Sequence, residues 1–279
     1  MSSDIMPMTE PRPRRQRSQG SGAADAALLF DEPGPRGRIL IAIGSVVAVI
    51  GIAALAAAVL YRLDLAGQLD YPKWRYFLGQ SVVSQLLEAA GTTLTLGGVA
   101  AVLTFPLGIA LGWLRLLDNR PIKWLIGLWI DAMRAVPMLL LVYFFLLVVP
   151  RFATISDFWK LALPIVMCTS ATTAEVFRSG VRALDRGQTE AAWALGMSPS
   201  LTMRLILAPQ ALRLMLPTLV TQMVTIIKGT TLAYVLAYPE LMYRGSTMIG
   251  QAKIDAHLSV FFQTYVIIAV LYIIVNWSL

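Results

Sequence analysis

The chain has 279 residues, of which 57% are apolar and 14% charged, and its formal charge is +7. A soluble domain is about half apolar and a quarter charged, so this balance excludes an ordinary soluble globule and points to an integral membrane protein. A single cysteine, Cys168, excludes an intrachain disulfide and a cysteine-based metal site, and the lone His257 leaves a zinc or proton-relay role without a second ligand.

Residues 1–38 read as a cytoplasmic tail. Positions 1–27 are rich in Pro, Arg, Ser, Gly and Ala without apolar periodicity, which predicts disorder, and a basic tail beside a membrane can lie on anionic lipid. Residues 28–35 put three apolar side chains before a turn signal and form a short piece suited to docking. Residues 39–60 then run 22 positions without a charge, and 91–114 another 24. At about 1.5 Å per residue, ~20 residues cross the ~30 Å hydrocarbon core. The first block starts too late and runs too long for a signal peptide.

The predicted fold is all-α, with six spans. The first, 39–61, is followed by an external linker over 62–87, in which 80–88 begins the helix that feeds the second span, 88–114. Residues 115–121 make a charged inner turn. The third span, 122–149, bends where Pro137 removes a backbone donor, and 150–160 turn outside. The fourth, 161–181, carries Pro164 in its first turn, where proline is tolerated; Cys168 lies here as a small apolar filler. A cytoplasmic loop covers 182–208 and the fifth span is 209–228. An apolar external stretch over 229–256 leads to the sixth, 257–278, with His257 in a helix-entry or loop role. No inverted repeat is evident.

With the N-terminus inside, fourteen basic residues face the cytoplasm: Arg12, Arg14, Arg15, Arg17, Arg36, Arg38, Arg115, Arg120, Lys123, Arg178, Arg182, Arg186, Arg204 and Arg213. Seven face out, namely Arg62, Lys73, Arg75, Arg151, Lys160, Arg244 and Lys253. The bias obeys the positive-inside rule. The basic balance is therefore an orientation signal, and nucleic acid is not an expected partner.

The loop 182–208 holds a polar, small-residue stretch that a chain built for lipid has little reason to keep without using it. Arg186-Gly187-Gln188 is expected to break the fourth helix and Thr189 to cap a new one. Glu190 falls in the first turn, near the positive helix end. Ala191, Ala192, Trp193, Ala194 and Leu195 favour helix, Gly196 suits a left-handed cap, and Ser198-Pro199 begins the next helix. A two-turn helix is too short to stand alone in water. It needs either a partner surface, with Trp193 or Leu195 as anchor, or the headgroup layer.

Charges inside the spans face protein or water, because exposing them to lipid costs at least ~2.5 kcal/mol. Arg134 has Asp131 three residues earlier. It either stabilises the helix through that pair or lies on the route of an anionic substrate. Glu175 and Arg178 form a similar pair at the inner end of the fourth span, as a gate or structural bridge. Lys228, followed by Gly229, Thr230 and Thr231, either snorkels to the outer interface or holds a carboxylate from an unwound stretch, which membrane depth tolerates only when buried or lining a cavity.

Glu190-Ala191-Ala192, Gly196, Ile206 and Pro209 follow the spacing E-A-A-x3-G-x9-I-x-x-P, which resembles the cytoplasmic docking loop of ABC-importer permeases. The likeness to the polar amino-acid branch extends over about 88–277. Ala174-Glu175-Val176-Phe177-Arg178-Ser179-Gly180 is similar to the family's A-E-x-x-R-x-G. Gly187-Gln188, Ala194-Leu195-Gly196 and Pro209-Gln210-Ala211-Leu212-Arg213 follow in order. Lys228-Gly229-Thr230-Thr231-Leu232 resembles K-D-T-S-L, Pro239-Glu240-Leu241 matches P-E-L, Thr92-Thr93-Leu94-Thr95-Leu96 matches the start of the first core helix, and Met133-Arg134-Ala135-Val136-Pro137 resembles R-G-T-P. Residues 29–35 and the extra first span resemble the actinobacterial glutamate-permease branch. The chain departs at Gly229 for Asp, which removes a charge beside Lys228, at Ala208 for Leu, and at Ala135-Val136 for Gly-Thr. The family's usual basic tail would follow Leu279.

The resemblance implies a five-helix type I importer core over 88–279, preceded by one extra span, with Thr189, Glu190, Ala191, Ala192, Trp193, Leu195 and Gly196 coupling to an ATPase. It implies a second, related permease subunit, two cytoplasmic ABC ATPase subunits that bind ATP and Mg, and an external substrate-binding protein, all at a bacterial cell membrane. The chain lacks a G-x-x-x-x-G-K-[ST] loop and is expected to bind no cofactor or metal itself. The expected task is alternating-access import of a polar amino acid, with glutamate as the expected substrate. Arg134, Glu175, Arg178, Lys228, Thr230 and Thr231 are the pathway or gate candidates. A self-sufficient transporter or channel would not need the 182–208 loop, a membrane enzyme would need clustered His, Asp or Glu at membrane depth, and a scaffold would tolerate changes at Glu190 and Gly196.

Overall fold

The computed structural model describes residues 34–278. The predicted tail over 1–27 lies outside the described residues, as does the docking piece 28–35 apart from its last two positions. All regular structure among the described residues is helical. The chain divides into one unit ending at Leu65 and a second over Ala66–Leu279.

The first unit's described part is helix α1, Pro35–Leu65, with no buried residue. Its 31 residues amount to about 46 Å at 1.5 Å per residue, ample for a span. The expected first span, 39–61, lies within it.

The second unit is organised around two helices. Short helix α2 (Tyr71–Arg75) and a 3-10 turn (Tyr76–Leu78) lead into α3, Gln80–Leu116. The expected feed from Gln80 is therefore one continuous helix. Its threonines are satisfied locally: the hydroxyls of Thr92, Thr93 and Thr95 donate to the carbonyls of Glu88, Ala89 and Gly91 at 3.1, 3.0 and 2.8 Å, so polar side chains sit in an apolar helix without orphan donors. Helix α6, Asp157–Arg182, packs along α3. Gly108 and Gly112 make the approach close. A Cβ at Gly108 would lie 2.6 Å from Thr173 Cβ and 2.9 Å from the Ser170 carbonyl oxygen, and one at Gly112 would lie 2.6 Å from the Ala174 carbonyl oxygen. Small residues at such seams take the place of a hydrophobic drive, which lipid cannot supply. Thr104 and Thr169 add a buried hydroxyl–hydroxyl hydrogen bond of 2.8 Å across the seam.

Two proline readings are corrected. Val136 is extended (ψ 127°), as the residue before a proline must be, so the third span does not merely bend. It breaks into α4 (Arg120–Ala135) and α5 (Met138–Leu147), with a turn of 95°. Pro164 is not in a first turn, because α6 starts at Asp157 after an extended Ser156 and the proline lies two turns in. The expected external stretch 229–256 is also helical. Thr230–Leu236 is a 3-10 segment ending on left-handed Ala237 (φ 52°), and Leu241–Asp255 forms α10.

Helix α10 packs on α3 and on α11 (Phe261–Trp277). Its start is held by Glu240, wholly buried, whose carboxylate accepts from Met242 N and Tyr243 N at 2.9 and 2.8 Å and from the Tyr272 hydroxyl at 2.9 Å. His257 falls in the α10–α11 loop with φ 54°, and Cys168 is buried, as expected of both. Among the described residues three helical stretches suffice to span by length and apolarity, Pro35–Leu65, Gln80–Leu116 and Pro199–Leu236, and a fourth if the α4–α5 pair is one broken span. The 17-residue α11 is apolar but shorter than these stretches.

Candidate functional site

The loop after α6 folds into α7, Arg186–Ala194. Its cap lies four residues earlier than expected. Asp185, not Thr189, is its N-cap: the side chain accepts from Gly187 N at 2.6 Å, and Arg186-Gly187-Gln188 lie inside the helix rather than breaking it. The C-terminus is as expected. Gly196 has φ +76°, Gly196 N donates to Trp193 O at 2.9 Å and Met197 N to Ala192 O at 3.0 Å, the paired bonds of a Schellman cap. Ser198 caps α8 (Pro199–Thr202), accepting from Leu201 N at 3.3 Å.

Helix α7 buries one of its residues. Ala192 is 1% exposed, whereas Trp193 is 56% and Leu195 82% exposed; Glu190 and Ala191 are also exposed and Thr189 is half-buried. A tryptophan and a leucine thus project from a short helix fixed at both ends. Past the Gly196–Ser198 break that ends α7, the chain runs from α8 through a π-helical turn, Met203–Leu207, into α9, Ala208–Gly229, so α8 is joined to a membrane helix by continuous helical backbone.

Five charges form an alternating chain across three helices. Arg178 donates to Glu175 at 2.6 and 3.0 Å. Glu175 also receives Arg115 from the end of α3. The Arg115 guanidinium reaches both Asp131 carboxylate oxygens on α4 at 3.2 and 3.4 Å. Arg134 stands 4.0 Å from Asp131 at the far end. The expected Asp131–Arg134 pair is therefore the weak outer link, and Asp131's main partner is Arg115. The Glu175 side chain is only 14% exposed, with Arg115 at 19% and Arg178 at 21%. At that burial, fork-like guanidinium–carboxylate bonds are the arrangement that offsets desolvation. Sequence reasoning placed Arg115 in an inner turn, and no local signal links it to a residue sixty positions away.

A cavity of about 490 Å³ opens between α4, α6 and α9. Arg134 and Glu175 line it together with the hydroxyls of Thr172, Ser179 and Thr218. The structure thus brings two of the expected pathway residues to one polar cavity, with Arg178 bonded to Glu175 at its edge. It does not bring Lys228, Thr230 and Thr231 there. Gly229 is helical (φ −60°) and lies against Met138, so the stretch narrows into 3-10 helix rather than unwinding. Thr230 is wholly buried and donates to Ile227 O at 2.7 Å, Thr231 donates to Lys228 O at 2.8 Å, and Lys228 is exposed. Their hydroxyls are spent on backbone and do not converge on a ligand. Among the described residues no group of three or more His, Cys, Asp or Glu is placed to hold a metal ion.

Comparison with known proteins fits this geometry. The chain is 34% identical over 188 residues to the probable glutamine ABC transporter permease protein GlnP of Bacillus subtilis, covering 67% of this chain and 85% of that protein. It is 32% identical over 218 residues to the glutamate transport system permease protein GluD of Corynebacterium glutamicum, covering 76% and 78%. A chain from the crystal structure of an amino acid ABC transporter with histidines superposes with a TM-score of 0.63 at 24% identity, over 71% of this chain and 90% of that one. An inward-facing MetNI methionine ABC transporter chain does so at 0.59 and 15%, over 72% and 93%; these two likenesses carry the fold, which is that of a type I importer permease. Residues 104–279 match the family model for the binding-protein-dependent transport system inner membrane component, and the chain belongs to that family of ABC-importer permeases.

Proposed function

We propose that this chain is the permease subunit of an ATP-driven importer for a polar amino acid, with glutamate as the substrate. It works by alternating access. The carrying observation is α7, a two-turn helix capped at both ends whose Trp193 and Leu195 are exposed. A partner ATPase grips this helix, binds and hydrolyses ATP with Mg, and moves it differently in its open and closed states. Only such differential contact can shift a conformational equilibrium. The displacement reaches α9 through α8 and the π turn, and reaches α6 at Asp185.

The remaining partners are a second permease of related but different sequence, a second ATPase subunit and an external binding protein; the N-terminus is cytoplasmic in a bacterial cell membrane. Glutamate is favoured by the relatives named for glutamate and glutamine transport and by Arg134, a half-exposed guanidinium on a polar cavity, which suits a carboxylate. The alternating chain Arg178–Glu175–Arg115–Asp131–Arg134 acts as the gate beside that cavity, tying α3, α4 and α6 when made and freeing them when broken. The test is co-purification with the ATPase and binding protein, followed by ATP hydrolysis against a panel of amino acids. Glutamate-stimulated hydrolysis is the expected result. Stimulation by another amino acid alone overturns the substrate, and uptake without any ATPase overturns the class of mechanism.

A further inference from the structure

A second cavity, of about 520 Å³, lies where α3 and α6 end and α4 begins. It is lined by Arg115, Arg120, Lys123, Arg178 and Arg182, with Asp131 as the one carboxylate. Even counting Glu175, which Arg115 and Arg178 share, the local balance is five cations to two anions. Arg120, Lys123 and Arg182 have no ion-pair partner among the described residues. Like charges lining one cavity repel, so an anion there would be held favourably.

The α4 contribution is one helix stripe, positions 120, 123, 124, 127, 128 and 131, the spacing of a single face. Gly127 leaves the floor open: a Cβ there would lie 3.6 Å from the Arg115 guanidinium nitrogens, so the missing side chain exposes that group to the cavity. The same stripe carries Trp124, 69% exposed, and Leu128, 53% exposed. Cations at one end and an uncovered indole and leucine beside them match an amphiphile, with an anionic head and an apolar body. A soluble anion has no use for the apolar half. Tryptophan favours the membrane–water interface, and basic pockets between helices on the cytoplasmic side take anionic headgroups.

We propose that this cavity binds the phosphate headgroup of an anionic glycerophospholipid of the inner leaflet, with Trp124 and Leu128 against its glycerol and acyl chains. The inner-leaflet assignment rests on the topology proposed above; the headgroup chemistry does not. Arg115 and Arg178 belong both to this site and to the charge chain, so a bound phosphate competes with Glu175 and Asp131 for the same guanidinium groups.

The test is native mass spectrometry of the full chain titrated with phosphatidylglycerol or phosphatidylcholine. The wild type should retain phosphatidylglycerol preferentially. The double variant Arg120→Gln/Lys123→Gln should weaken phosphatidylglycerol by about 25-fold without altering phosphatidylcholine, while Arg120→Lys/Lys123→Arg keeps the preference. Arg204→Gln/Arg213→Gln, two cytoplasmic cations outside the cavity, should leave it unchanged. In vesicles, brominated phosphatidylglycerol should quench the Trp124 signal, taken as the difference from Trp124→Phe, more than brominated phosphatidylcholine does. Equal retention of the two lipids by the wild type overturns the proposal, as does equal loss in both glutamine double variants, which would mean diffuse surface charge. Occupancy by inorganic phosphate without discrimination between the lipids would assign a soluble anion and overturn the lipid.

Discussion

Trp193→Ala separates assembly from folding. Trp193 is 56% exposed and its neighbour Ala192 1%, so the indole contributes little to this chain's own packing. An aromatic side chain offers up to about 250 Å², of which roughly 140 Å² is open at this exposure. Covering that area at about 25 cal/mol per Å² is worth roughly 3 kcal/mol. Ordering costs at an interface and the alanine methyl that remains lower the net to roughly 2–3 kcal/mol, the range of an interface hot spot. The permease–ATPase affinity should therefore fall about 30- to 150-fold. An exposed substitution changes stability by only about 0.5 kcal/mol, so the melting temperature of the isolated permease should barely move. The assay pairs a binding titration of the ATPase against reconstituted permease with thermal unfolding of the permease alone. Unchanged affinity would refute the docking role, and a fall in melting temperature matching the loss of affinity would make Trp193 a packing residue instead.

Further outcomes follow from the same geometry. Glu175→Gln leaves Arg178 without its carboxylate and Arg115 with Asp131 only; removing one partner of a fully buried pair costs 3–5 kcal/mol, and at this partial burial about 2 kcal/mol is expected, so basal ATP hydrolysis should rise relative to uptake in proteoliposomes, by up to about 30-fold in the open-to-closed ratio. Gly108→Ala, whose methyl would meet Thr173 and the Ser170 carbonyl, should cost about 1–3 kcal/mol and lower the detergent melting temperature, whereas Gly98→Ala, with nothing within 4 Å, should not. Asp185→Ala should remove about 1 kcal/mol of α7 stability, seen as faster amide exchange over 186–194, with Asp185→Asn restoring it.

What the sequence made legible was what local chemistry decides. Charge-free runs announced α1 and α3, because length and apolarity suffice. The Gly196 and Ser198 caps of the 182–208 loop were readable, because each depends on one residue's backbone preference or one hydroxyl. The loop's start was missed because Gly187 looked like a breaker, although Asp185 is as strong an N-cap as Thr189 and the Asp185–Gly187 bond turns the glycine to use. The Pro137 break was located but understated, since the extended Val136 turns a bend into a corner. The charge chain was half legible: Glu175–Arg178 is a helix neighbour pair, but Arg115 joins it only through the packing of α3 on α6, which no periodicity encodes. For Lys228-Gly229-Thr230-Thr231 the local geometry was not legible: the stretch stays helical, and both threonine hydroxyls donate to backbone carbonyls three residues back.

The glycine contacts at 108 and 112 have a mechanical consequence. With the Ser170 and Ala174 carbonyls seated where Gly108 and Gly112 leave room, and side chains such as Thr104 on either side, α3 and α6 cannot shear past each other without driving side chains into backbone or opening voids. They must travel as a single girder. Under the proposed mechanism, a stroke delivered at residue 185 would be divided between turning that girder bodily and flexing the corner at Pro137, between α4 and α5.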